Sequence, residues 1–166
     1  NEDYVIGSCD LARRTGADIH HGKAPDFQYG SPVSEGDLFE FGNVQLHALE
    51  TPGHTYESIS LVLADTSFSD DPVAVFTGDA LFIGDAGRTD FFPDEAEKVA
   101  GLLYDSIFDK VLPLGDGVII YPAHGAGSVC GDSMADREFY TLGYERRSSP
   151  VLQLTDREDF IRDKVE

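Results

Sequence analysis

The stretch VQLHALETPGHT (44–55) alternates like a strand, runs into Thr51, Pro52 and Gly53, and then sets a histidine on the turn. Proline fixes φ and removes a ladder donor, and glycine adopts backbone conformations closed to other residues, so the strand must end here and present His54 at a sharp bend. Two later stretches repeat the arrangement. VAVFTGDAL (73–81) carries an apolar strand into Gly78 and Asp79, and GVIIYPAHGAG (117–127) carries another into Pro122 and His124. Chemistry-bearing side chains concentrate on loops held by rigid elements. Three such turns, far apart in the chain, can meet only through the fold.

Working outward, LFEF (38–41), the pair Gly42-Asn43 and VQLHALE (44–50) read as a β-hairpin, with alternation on both sides of a turn that tolerates positive φ. SISLVLA (58–64) and VAVFTG (73–78) are further strands of nearly continuous apolar character, which predicts burial on both faces. From Pro93 the period changes: Val99, Leu102, Leu103, Ile107 and Val111 recur at helical spacing, and Asp94, Glu95 and Glu97 sit at the positive end of the helix dipole. GVIIYPAHG is another buried strand. Residues 3–15 place Val5, Ile6, Cys9 and Ala12 on one face of a short helix that stops at Gly16, and residues 19–21 form a brief strand. GKAPDFQYGSPVSEGD (22–37) reads as a loop, and TDREDFIRDKVE (155–166) as a helix opened by a Thr155–Glu158 capping box. A mostly β middle flanked by helices predicts an α/β (α+β) domain, with sheets packed inside helices and ligand groups at the strand ends.

The chain has 166 residues, 41% of them hydrophobic, the size of a single domain with a real core. No stretch reaches the roughly 18 consecutive apolar residues of a membrane span, and NEDYVIGSCD lacks the basic-then-apolar order of a signal peptide, so a cytoplasmic location is expected. Two cysteines, Cys9 and Cys130, are too few for a disulfide framework and read as free thiols. Acids outnumber bases 31 to 12, for a net charge of -19, which argues against nucleic acid and anionic membranes as partners. The acids are spread along the whole chain. Molar salt would screen their repulsion, so a halophilic source is one expectation and an ordinary acidic cytosolic protein the other.

His54, Asp79 and His124 together are a metal-ligand inventory suited to zinc or iron, and they lack the Ser or Cys placement of a catalytic triad. Spacing alone leaves open that they are ordinary turn residues. His20, His21 and His47 fall outside every motif and read as strand or surface residues.

TPGHT, TGDALFIGDAGRTDF and YPAHGAGSVCG resemble the successive metal-binding motifs of the metallo-β-lactamase superfamily. More narrowly, they are similar to its persulfide dioxygenase and glyoxalase II-like branch, which includes rhodanese-fused members. The resemblance runs through TLGYERR (141–147) and implies the αββα sandwich fold. That family opens its site with an HxHxDH motif. Here Asp3 matches the aspartate, Asn1 stands where the second histidine belongs, and Tyr4 replaces the final one. The first histidine would precede Asn1, so the resemblance implies a chain lacking the first strands of the sandwich.

These departures separate the family's mechanisms. Its di-zinc hydrolases use all the motif histidines, which Asn1 and Tyr4 put in question. Its mono-iron dioxygenases hold Fe(II) with the first motif histidine and the counterparts of His54 and Asp79, a 2-His-1-carboxylate triad with positions open for O₂ and a sulfur substrate. The resemblance thus implies oxidation of a small thiol-derived persulfide, such as glutathione persulfide, to sulfite. Asp3 and His124 would orient a ligand or water, or be remnants of a second metal site. Arg88 would pair with Asp85 or Asp90 to hold the metal loop, or meet a substrate carboxylate. Cys130 would carry a sulfane sulfur or be an inert small residue, and Tyr144 would close the pocket or simply pack. A zinc thioester hydrolase of glyoxalase II type and a non-catalytic module are the alternatives. A rhodanese domain elsewhere in the protein and a homo-oligomer stay open.

Overall fold

A computed structural model describes residues 7–23, 27–131 and 133–166. Asn1, Asp3 and Tyr4, with the start of the first expected helix, lie outside the described residues. The order of elements is α1 (Ser8–Thr15), β1 (His20–Gly22), β2 (Ser31–Val33), β3 (Leu38–Phe41), β4 (Val44–Glu50), β5 (Ile59–Asp65), β6 (Pro72–Gly78), α2 (Ala96–Asp105), β7 (Ile119–Pro122), β8 (Tyr140–Thr141), α3 (Leu142–Ser148) and α4 (Arg157–Val165). β3 to β8 form one six-stranded sheet in chain order, and β1 and β2 form a separate parallel pair.

The hairpin of β3 and β4 closes as expected, with Phe41 opposite Val44 and Gly42 at φ 65°. β4, β5 and β6 continue as an antiparallel meander, and β7 then lies parallel to β6. A parallel neighbour requires a crossover connection. Residues 79–118 supply it, and α2 is its helix. The consequence for function follows from direction alone. Glu50 at the end of β4 faces Ile59 at the start of β5, Leu61 faces Phe76 near the end of β6, and Gly78 faces Pro122 at the end of β7. The three turns bearing His54, Asp79 and His124 therefore leave the sheet from the same end.

The core lies between one face of the sheet and the helices. Val62, Val75, Val118 and Ile120 of the sheet layer pack with Leu103, Ile107 and Val111 from the crossover helix, Leu142 of α3 and Phe160 of α4. Val99, Leu103, Ile107 and Val111 recur every four residues and are all buried. The last two sit on a single π-helical stretch, Ser106–Val111, that continues α2. Among the described residues no helix is long and apolar enough to cross a membrane.

Four expectations change. β5 and β6 are not buried on both faces: β5 alternates buried and half-buried residues, and Val73 and Phe76 of β6 are exposed, because the core helices cover one face of the sheet. The loop 22–37 contains strand β2, which exists only through its pairing with β1. α1 ends at Gly16, φ 75°, but buries no residue, so Cys9 is exposed. The last helix is capped by Asp156, whose carboxylate accepts from the Glu158 and Asp159 amides, in place of Thr155.

Candidate metal centre

Each residue of TPGHT is tied down. The Thr51 and Ser60 hydroxyls lie 2.9 Å apart, and the Pro52 carbonyl accepts from Ser106 Oγ at 2.8 Å. Gly53, at φ 147°, lies so close to α2 that a Cβ there would sit 2.4 Å from Leu103 Cβ. Glycine is thus required twice, for its conformation and for the approach. The turn delivers His54 to the interior, 2% exposed, with the edge of its ring facing Phe91 at 5.0 Å between centroids.

The tautomer of His54 follows from its partner. Nδ1 lies 2.9 Å from the backbone carbonyl of Arg88, which can only accept, so Nδ1 carries a proton and Nε2 is the nitrogen that offers a lone pair to a metal. That Nε2 is buried and has no hydrogen-bond partner among the described residues. It lies 3.9 Å from Asp79 Oδ2, and His124 Nε2 lies 2.9 Å from Asp79 Oδ1. A lone pair facing a carboxylate oxygen in a buried site is stabilised by a cation between them, so the donor set fits a metal ion.

Asp79 follows a break in the ladder. Register shifts between Phe76 and Gly78, and Thr77, buried at the break, donates to the Leu81 carbonyl at 2.6 Å. Beyond it the loop 80–88 folds back. Gly87 is packed so tightly that a Cβ would lie 2.0 Å from the Asp79 carbonyl oxygen and 3.1 Å from His54 Cβ. Arg88 grips Asp90 through two bonds of 2.6 Å and reaches the Val129 carbonyl at 3.2 Å. That forked contact holds the Asp90 carboxyl below the usual carboxylate range. Asp85 instead faces Lys164 of α4, at 3.4 Å, and accepts from the Ser133 amide.

Cys130 is buried and in no disulfide, and donor atoms of His54, Asp79 and Cys130 all lie within 4.8 Å of one another. The structure therefore gathers His54, Asp79, His124 and Cys130, with Arg88 and Asp90 bracing the loop beside them. It does not bring Tyr144 there. β8 runs antiparallel to β7, so α3 starts at the opposite end of the sheet, where Tyr144 stacks on Tyr140 at 3.7 Å. Asp3 lies outside the described residues.

Sequence reasoning missed three supports. Gly87 is one, with no signal beyond its place between Asp85 and Arg88. Lys164 is another, the one lysine of α4, a helix with equal numbers of acidic and basic residues. The third is Glu145 of α3, buried, which accepts from the Gly84 amide at 2.8 Å. Burial raises its carboxyl pKa, partly offset by that amide.

No family model matches the chain. Over 130 residues it is 40% identical to the mitochondrial persulfide dioxygenase ETHE1 of Mus musculus, covering 78% of this chain and 44% of that protein. It is 34% identical over 118 residues to the hydroxyacylglutathione hydrolase GloC of Haemophilus influenzae, covering 71% and 45%. A metallo-beta-lactamase of known structure from Staphylococcus aureus superposes with a TM-score of 0.84 at 32% identity, over 95% of this chain and 48% of that one. The chain thus spans about half the length of the relatives it matches.

Proposed function

Because this chain belongs to the metallo-β-lactamase superfamily, in the branch that holds persulfide dioxygenases and glyoxalase II-type hydrolases, we propose that it serves a mononuclear iron persulfide dioxygenase. The substrate class is a small thiol persulfide such as glutathione persulfide. One persulfide, one O₂ and one water give the thiol, sulfite and two protons, with four electrons passing from the outer sulfur to oxygen. The observation that carries this reading is the buried Nε2 of His54, without a hydrogen-bond partner among the described residues and facing Asp79, in a chain similar to a persulfide dioxygenase.

His54 and Asp79 would hold the iron, which supplies the redox chemistry of oxygen reduction. The remaining work falls to the protein. The Arg88 carbonyl fixes the His54 tautomer, as an outer partner does for a ligating imidazole. Phe91 and Phe82 place aromatic surface beside His54 and His124. His124, 13% exposed, reaches the outer edge of the cluster, where it can orient a substrate group or a water.

One observation favours the hydrolase alternative. Asp79 faces His54 and His124 through different oxygens, so the three residues would supply ligands to more than one zinc ion. Metal analysis of the full-length protein, with oxygen uptake on glutathione persulfide and hydrolysis of an acyl-glutathione thioester measured in parallel, separates the two. The dioxygenase reading expects iron and oxygen uptake. Two zinc ions with thioester hydrolysis and no uptake would overturn it.

A further inference from the structure

We infer that Cys130 is a metal ligand, and that its thiolate completes a His54–Asp79–Cys130 donor set within this chain. The inference rests on the reading that a metal occupies this site, and it does not depend on which reaction the site performs. Cys130 lies six residues beyond His124 in a Gly-rich turn, and the residue that brings it inward is Arg88. The Arg88 amide donates to the Cys130 carbonyl at 3.2 Å, while the Arg88 carbonyl accepts from His54 Nδ1 at 2.9 Å. One peptide unit on each side of Arg88 thus sets both side chains. The Cys130 amide is held in turn by Ser128 Oγ at 3.1 Å.

The donor atoms are already close. A tetrahedral ion with bonds of about 2.0 Å to nitrogen or oxygen and about 2.3 Å to sulfur sets its ligands roughly 3.5 Å apart. His54 Nε2 and Asp79 Oδ2 are 3.9 Å apart, and the whole triplet falls within 4.8 Å, so the donors already stand near that spacing. A buried thiol by itself is an ordinary small core residue. The second, independent observation is His54: its ring is 2% exposed, and its Nε2 has no hydrogen-bond partner among the described residues. A nitrogen, an oxygen and a sulfur donor, with further positions open, suit a divalent first-row ion of the zinc or Fe(II) type. On binding, the thiol proton leaves to solvent and the sulfur–metal bond forms.

Cobalt(II) reports this directly, because a cobalt–thiolate bond gives a near-ultraviolet charge-transfer band. The 166 residues contain Cys9 and Cys130, and Cys9 is exposed on α1, so in a protein of these 166 residues Cys9→Ser leaves Cys130 as the remaining thiol. Anaerobic titration of the wild type and of Cys9→Ser with cobalt(II) should give the band in both. Cys130→Ser should lose it and bind cobalt at least about tenfold more weakly, a loss no smaller than that for an outer partner. Cobalt bound to Cys9→Ser without the band, or a band that survives in Cys130→Ser, overturns the assignment. If the band is present and persulfide oxidation is absent, the ligand assignment stands and the dioxygenase reading falls.

Discussion

Replacing Gly87 with alanine puts a methyl group 2.0 Å from the Asp79 carbonyl oxygen, 3.1 Å from His54 Cβ and 3.2 Å from His54 Nδ1. Gly87 is not among the glycines with positive φ, so alanine meets no conformational penalty and the whole effect is contact. Ordinary non-bonded contact begins at about 3.5 Å, so the Asp79 carbonyl and the 87–88 peptide must separate by more than about 1 Å. The obstructing atom is backbone, and no rotamer change relieves it. Overpacking of this kind costs about 1–3 kcal/mol, each kcal/mol lowering Tm by about 2–4 °C in a chain of this size. Misplacing the ligands by about 1 Å should weaken function at the site by roughly 100-fold. The assay is thermal unfolding of the apo protein with metal dissociation measured alongside. Gly117→Ala is the control, since a Cβ there meets nothing within 4 Å and should cost no more than about 0.5 kcal/mol. If Gly87→Ala matches Gly117→Ala in both Tm and metal affinity, the tight loop over Asp79 and His54 is not what holds the site.

Glu145 predicts a pH signature. Its folded pKa is raised above the ordinary 4.5 by burial, so its contribution to stability is fully present below that value and is lost as pH rises through the folded one. Glu145→Gln should therefore raise Tm at pH 7 relative to the wild type and lose that advantage near pH 4; an equal shift at both would refute the buried-charge account. The net charge of -19 predicts that Tm rises from low to molar salt, and a maximum in low salt would contradict the halophilic expectation. Ile107→Ala, at a fully buried position of the π-helical stretch, should lower unfolding free energy by about 2–5 kcal/mol in denaturant titration, and a loss under about 1 kcal/mol would mean that the helix is not packed on the sheet as described.

Much of the arrangement was legible because local chemistry and global fold agree. Gly42 marks the hairpin turn, the four-residue recurrence from Val99 to Val111 marks the crossover helix, and Pro52-Gly53, Gly78 and Pro122 mark three strand ends. What could not be read was whatever depends on pairing partners. β2 has no strand pattern of its own and exists through β1. The apolar runs of β5 and β6 do not tell whether one face or both is covered. Tyr144 belongs to a motif shared with a metal-binding family, yet strand direction at β8 carries it to the far end of the sheet. The backbone of Arg88, which fixes the His54 tautomer and seats Cys130, leaves no trace in residue type, because any non-proline residue offers the same amide and carbonyl.

The most direct test of a metal centre built at the strand ends is equilibrium metal binding to the wild type, His54→Ala and His124→Ala. Loss of binding in His54→Ala, with His124→Ala retaining its metal, is the predicted result. Metal retained by His54→Ala, or lost equally in both variants, would contradict a mononuclear site centred on His54 Nε2.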